Sequence, residues 1–163
     1  ALVGVGNISM RRALYASARE SFEQALAIQE STLGRAHPVT AITLTNCGLA
    51  HEKIGNVDEA LRMHKRALTM QQEVLGTWHP DVARTWSHLG QAHEARGSLE
   101  EAASCHQQAY ETRERVHGLE HADTAYSLSR LGATRRRQGD LQKASQYFHS
   151  ALAINEKVLG PDH

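Results

Sequence analysis

Aromatic residues make up only 5% of this 163-residue chain, and there are two cysteines. Charge of neither sign is in surplus, because 18 Lys and Arg stand against 18 Asp and Glu. That balance gives no bulk attraction to nucleic acid or anionic lipid. The few aromatics are not interleaved with basic residues, so a nucleic-acid strand has no stacking platform. No apolar run approaches the length that spans a bilayer. The short apolar start at residues 1–6 lacks the basic leader of a signal peptide. Cys47 and Cys105 have neither zinc nor redox spacing. With 40% hydrophobic and 22% charged residues, the composition is that of an ordinary soluble protein. The cytosol is the expected compartment.

What the chain does have is a period. Leu33-Gly34-Arg35-Ala36-His37-Pro38 returns as Leu75-Gly76-Thr77-Trp78-His79-Pro80, then as His117-Gly118-Leu119-Glu120-His121-Ala122, and begins again at Leu159-Gly160-Pro161-Asp162-His163. Successive corners are 42 residues apart and need no gap. Gly48, Gly90 and Gly132 align at this step, as do Gly55, Gly97 and Gly139. Ala60, Ala102 and Ala144 form a third set, and Ala67, Ala109 and Ala151 a fourth. Cys47 takes the slot of Leu89 and Leu131, which reads as a buried core thiol.

Within a unit, Val82, Trp86, Leu89 and His93 are spaced as one helical face. Gly97 breaks that pattern, and Leu99, Ala102, His106 and Ala109 restart it. Small alanines allow two helices to approach closely. Glycine at 55, 97 and 139 suits a helix C-terminus. Position 13 holds Ala13 instead, which leaves that turn less defined. Pro38 and Pro80 suit a first helical position. A fixed period of this kind is the mark of a solenoid, whose units bury their apolar faces on one another. The expected fold is all-α, a right-handed α-solenoid of antiparallel helix pairs. One solenoid fills residues 1–163, with repeats near 1–32, 33–74, 75–116 and 117–158 and a further one starting at 159–163. The missing initiator Met and the end within a corner suggest a fragment of a longer array.

The spacing of Trp86, Leu89, Gly90, Gly97, Ala102 and Ala109 resembles the tetratricopeptide pattern. The usual period there is about 34. The longer period and the Leu-Gly-x-x-His-Pro corner are similar to the kinesin light chain subclass, most closely at residues 65–83 and 150–163. The resemblance implies a non-enzymatic interaction module whose first helices line a concave groove. Carried onto this chain, the groove positions are Asn7, Met10 and Arg11, then Ile42, Thr45, Asn46, Leu49, Glu52 and Lys53. They continue with Arg84, Ser87, His88, Gln91, Glu94 and Ala95, then Tyr126, Ser129, Arg130, Ala133, Arg136 and Arg137. Asn46 matches the family's groove asparagine, which clamps a peptide backbone with one donor and one acceptor. The resemblance further implies a short acidic peptide as partner, with Arg84, Arg130 and Arg137 selecting charge. The run Arg135-Arg136-Arg137 also suits a helix C-terminus, so recognition and dipole compensation both stay open there. Trp78, at a variable corner position, is expected to be exposed as a rim contact, with a local packing role as the alternative.

Other signals that look chemical dissolve on inspection. Of eleven histidines, His37, His79, His121 and His163 recur once per corner, which points to a structural task at the turn. His64 and His106 share a packing position with Phe22 and Phe148. A closed metal site needs three or four convergent ligands, so no metal and no cofactor are expected. His51-Glu52 and His93-Glu94 begin a zinc-protease motif, but Gly55 and Gly97 stand where the second His belongs. Gly4-x-Gly6 follows no strand and precedes no phosphate-binding lysine. No enzymatic site is expected.

Three readings of function follow. The first is a scaffold or adaptor that captures an extended acidic peptide of about six to ten residues. The second is the sensor or autoinhibitory arm of a larger nucleotide-switch signalling protein. The third is a spacer that stacks through its ends, with self-association of the fragment as a consequence. Protein or peptide is the expected partner in each, with no nucleic acid and no membrane.

Overall fold

The computed structural model describes residues 1–34 and 36–160. Arg35 and residues 161–163, including the corner histidine His163, lie outside the described residues. All regular structure among the described residues is helical: α1 (Leu2–Arg11), α2 (Tyr15–Thr32), α3 (Pro38–Lys53), α4 (Val57–Leu75), α5 (Pro80–Arg96), α6 (Leu99–His117), α7 (Ala122–Arg137) and α8 (Leu141–Leu159). No helix among them is long and apolar enough to cross a membrane. The helices fall into two compact units, one from Ala1 to Thr77 and one from Trp78 onward.

In the first unit, α1 packs on α2, α2 on α3 and α3 on α4. Ala18, Phe22, Leu26, Leu44, Cys47, Ala50, Met63 and Ala67 form its core. The second unit repeats the scheme with α5 on α6, α6 on α7 and α7 on α8. Val82, Leu89, Ala102 and Ala109 are buried there, and Ala125, Leu128 and Ala151 form a further cluster. The alanine sets at 60, 102, 144 and at 67, 109, 151 are all at most 3% exposed. They are the close-approach positions expected from the period.

Each pair is locked by a glycine facing a ring. Gly48 faces His64 and Gly90 faces His106, while Gly6 and Gly132 face Phe22 and Phe148. A Cβ on Gly90 would lie 2.4 Å from His106 Cε1, so only glycine admits the ring. Phe22, His64 and His106 are fully buried, whereas Phe148 is 37% exposed.

The corner histidines cap the helices that follow them. Nδ1 of His37, His79 and His121 accepts the backbone N–H of Val39, Asp81 and Asp123 at 3.1–3.2 Å. Each meets one of the N–H groups that a helix start leaves without an intrahelical partner. The recurrence of His therefore has a structural cause. At the turn inside the first pair, Ala13 holds φ 58°, and it is the one described non-glycine residue with positive φ. The chain makes the same turn there that Gly97 makes at φ 88°, but with a side chain attached.

Candidate functional site

The first helix of each pair presents the positions expected to form the groove. In the first unit, Asn7 and Arg11 on α1 are exposed, and Met10 packs against the core. On α3, Ile42 is 44% exposed, Lys53 is exposed, and Asn46 and Leu49 are half-buried. The structure brings Asn46 and Asn7 together, with Asn46 Nδ2 donating to Asn7 Oδ1 at 3.3 Å. The asparagine expected to clamp a peptide thus has one donor engaged across to the neighbouring helix. Thr45, read as a groove residue, is instead 4% exposed and donates to the Ala41 carbonyl. Glu52 turns inward, its Oε1 lying 3.0 Å from Nε2 of buried His64.

In the second unit, α5 and α7 are joined by side-chain rungs. Gln91 Nε2 donates to Tyr126 Oη at 3.4 Å. Glu94 is the hub of the next rung. It accepts from Arg130 Nη2 and Thr134 Oγ1, each at 2.5 Å, and its Oε1 lies 3.3 Å from His106 Nε2. Burial pushes the Glu94 carboxyl up, but the bonds from His106 and Thr134 and the Arg130 charge outweigh it, holding it at about 2. Arg137 Nη2 donates to the Glu94 carbonyl at 3.1 Å. Arg130 therefore does not offer a free charge, because a carboxylate already holds it. Arg84 is exposed but lies 2.8 Å from Asp81. Arg136 is exposed and makes no ion pair among the described residues. Tyr126 is 45% exposed, and His88, Ser129 and Ala133 are half-buried beside it.

Ser87, another expected groove residue, is 3% exposed because a side chain from the second helix covers it. That side chain is Arg113 of α6. Its Nη1 donates to Ser87 Oγ at 3.0 Å and to Ser127 Oγ at 2.5 Å, and its guanidinium lies 5.5 Å from the Tyr126 ring centroid. Arg113 is 8% exposed. Burial lowers its pKa, opposed by the charge of Asp123. A reading confined to first helices overlooks it. The available signal was the repeat slot: Gln71 and Asn155 stand one period before and after Arg113, all three polar. A cleft of about 230 Å³ lies alongside, lined by Pro80, Asp81, Arg84, Arg113, His117 and Asp123. Two arginines face two aspartates there, so the cleft is not an anion trap. Trp78, 47% exposed, lies under the Arg115 guanidinium at 4.5 Å, a cation–π contact that orients the ring without burying it.

The arrangement holds polar, partly exposed side chains in fixed places along adjacent helices, which suits recognition of another chain. His117, His121 and Asp123 lie close enough to suggest a metal. However, the two imidazoles are stacked at 4.3 Å and 14°, so their in-plane lone pairs run parallel instead of converging. His121 Nδ1 is also engaged as a cap.

Comparison with known proteins places the architecture. The tetratricopeptide repeat model matches residues 1–73 and 81–157. No curated protein matches the sequence. Among solved structures, BtubC (BKLC) from P. vanneervenii superposes with a TM-score of 0.92 at 22% identity, covering 98% of this chain and 63% of that one. The present chain thus spans under two thirds of that protein's length. The kinesin light chain nearly identical TPR-like repeats from Podosopora anserina give 0.87 at 24% identity, covering 99% and 77%. MamA gives 0.72 at 20% identity, covering 96% and 77%. At such identities the likeness is one of fold. Eight described helices in pairs, the glycine-and-alanine pattern and the family match together assign this chain to the tetratricopeptide repeat family, with kinesin light chain-like repeats among its structural neighbours.

Proposed function

We propose that the chain is a protein-interaction module and that the α5–α7 face of its second unit takes an extended acidic peptide. Tetratricopeptide repeats are in general protein–protein interaction modules, and nothing in the fold calls for a reaction. The observation that carries the acidic reading is the charge left after internal pairing. Glu94 is shared between Arg130 and Arg137 and is held by Thr134 and His106 as well, while Arg136 and buried Arg113 have no carboxylate within ion-pair distance among the described residues. Positive charge is thus in excess along α7, beside the exposed ring of Tyr126. The rungs Gln91–Tyr126 and Arg130–Glu94 hold these groups in place before a ligand arrives, which lowers the ordering cost of binding. Arg137 and Arg136 supply selection by charge, and Gln91 and His88 lie where they can meet peptide main chain.

Peptide-display selection against the chain, repeated with Arg136→Ala and Arg137→Ala combined, tests this reading. An acidic motif enriched by the parent and lost by the double variant supports it. Enrichment of neutral or basic motifs, or of an acidic motif that the variant keeps, refutes it.

A further inference from the structure

We propose that Glu23, Cys47 and His51 form a binding site for a zinc-class divalent ion between α2 and α3 of the first unit. One ligand atom from each lies within 4.8 Å of the others. Cys47 and His51 are four residues apart on α3, so they share a face, and Glu23 meets them from α2. Glu23 Oε1 lies 3.3 Å from His51 Nε2. Metal bonds of about 2.0–2.1 Å at a tetrahedral angle separate a nitrogen and an oxygen ligand by about the same distance. The spacing therefore needs no rearrangement of that edge.

A second observation is independent of the spacing. His51 is 4% exposed; among the described residues its Nδ1 has no hydrogen-bond partner, and its Nε2 meets the Glu23 carboxylate without good hydrogen-bond geometry. Buried polar atoms are rarely left so. Of the other charges around the site, Arg19 pairs with Glu20 at 3.3 Å and also reaches Glu23. Arg19 Nε lies 3.7 Å from Glu23 Oε2, which leaves Oε1 for His51. On α4, Arg62 and Glu59 pair with each other at 2.6 Å. The combination also occurs once in the chain. The later repeats hold Lys65, Gln107 and His149 at the Glu23 position and Leu89 and Leu131 at the Cys47 position.

The donor set of thiolate, imidazole and carboxylate suits zinc and its neighbours and excludes magnesium and calcium, which take oxygen ligands. Cys47 binds as thiolate, its proton passing to solvent. Glu23 is 44% exposed on its side chain, so water reaches the fourth position. The ion would tie the second helix of one pair to the first helix of the next, as a structural staple.

The alternative is a histidine–carboxylate contact beside an inert thiol, and it makes no use of Cys47. Titration of the reduced chain with cobalt(II) separates the two. The expected result is one equivalent bound with intense ligand-field bands and a thiolate-to-cobalt charge-transfer band. Zinc should displace the cobalt and raise the melting temperature. Cys47→Leu should abolish the charge-transfer band, and it should fold, because leucine fills that slot in two other repeats. Glu23→Gln, at an exposed position, should weaken zinc binding at least tenfold. A charge-transfer band that survives in Cys47→Leu overturns the proposal. So does cobalt bound to the parent chain with no such band, which would mark adventitious histidine sites.

Discussion

Glu94 gathers His106, Thr134 and Arg130 around one carboxylate, and the consequence is a defined acid limb of stability. Its carboxyl sits at about 2 in the folded chain against an ordinary value of 4.5. The unfolded chain thus binds this proton more readily, so stability falls with falling pH. The contribution is fully present above pH 4.5 and is lost on the way down to about 2. Urea unfolding at a series of pH values should show this limb, and Glu94→Gln should flatten it. A second residue-scale expectation concerns Ala13, whose φ of 58° is unfavourable for any residue with a Cβ. Ala13→Gly relieves the strain at some cost in chain entropy. The net gain should be about 0.5–1 kcal/mol by denaturant midpoint, and a loss of stability would show that the alanine methyl packs usefully. The turn at 13 was only partly readable, because the period aligns it with Gly55 and Gly97 while Ala13 removes the glycine signal. The Glu94 hub was not, because its partners lie 36 and 40 residues away and the period alone does not say which way a side chain turns.

At the level of helices, the recurring sequence signals map onto definite mechanical tasks. Pro80 starts α5 behind the His79 cap, and α7 starts at Ala122 behind the His121 cap with no proline at all. The degraded corner therefore works because the histidine, and not the proline, supplies the cap. His79→Ala should cost about 1 kcal/mol, as for other side-chain caps. Gly90→Ala should cost more, about 1–3 kcal/mol, because its methyl meets a ring fixed between the two helices. Thermal melts of the two variants check the order, and equal effects would mean that the His106 ring yields. Helix pairing and the small-residue contacts were legible since they repeat at 42 residues. The inward turn of Ser87 was not, because it depends on Arg113, a residue of the second helix that breaks the apolar pattern only by reaching across.

For the whole chain, formal charge is zero, so an acidic ligand has to be selected by local excess and not by the overall field. Internal pairing decides where that excess lies. Of the arginines expected at groove positions, Arg84 and Arg130 are met by Asp81 and Glu94, while Arg137 shares a carboxylate and Arg136 has none among the described residues. The sequence could show which positions face outward along a first helix, but not which charges are already neutralised there. Exposed charges contribute about 0.2–1 kcal/mol each, so the pair should be worth roughly 2- to 30-fold in affinity. The most direct measurement is the affinity of a display-enriched acidic peptide at two ionic strengths, for the parent chain and for Arg136→Ala with Arg137→Ala. The account predicts that salt weakens the parent's binding, and that the variant binds less tightly with a flatter salt dependence. Equal affinity and equal salt dependence in the two proteins would contradict it, as would a selection from which no acidic peptide emerges.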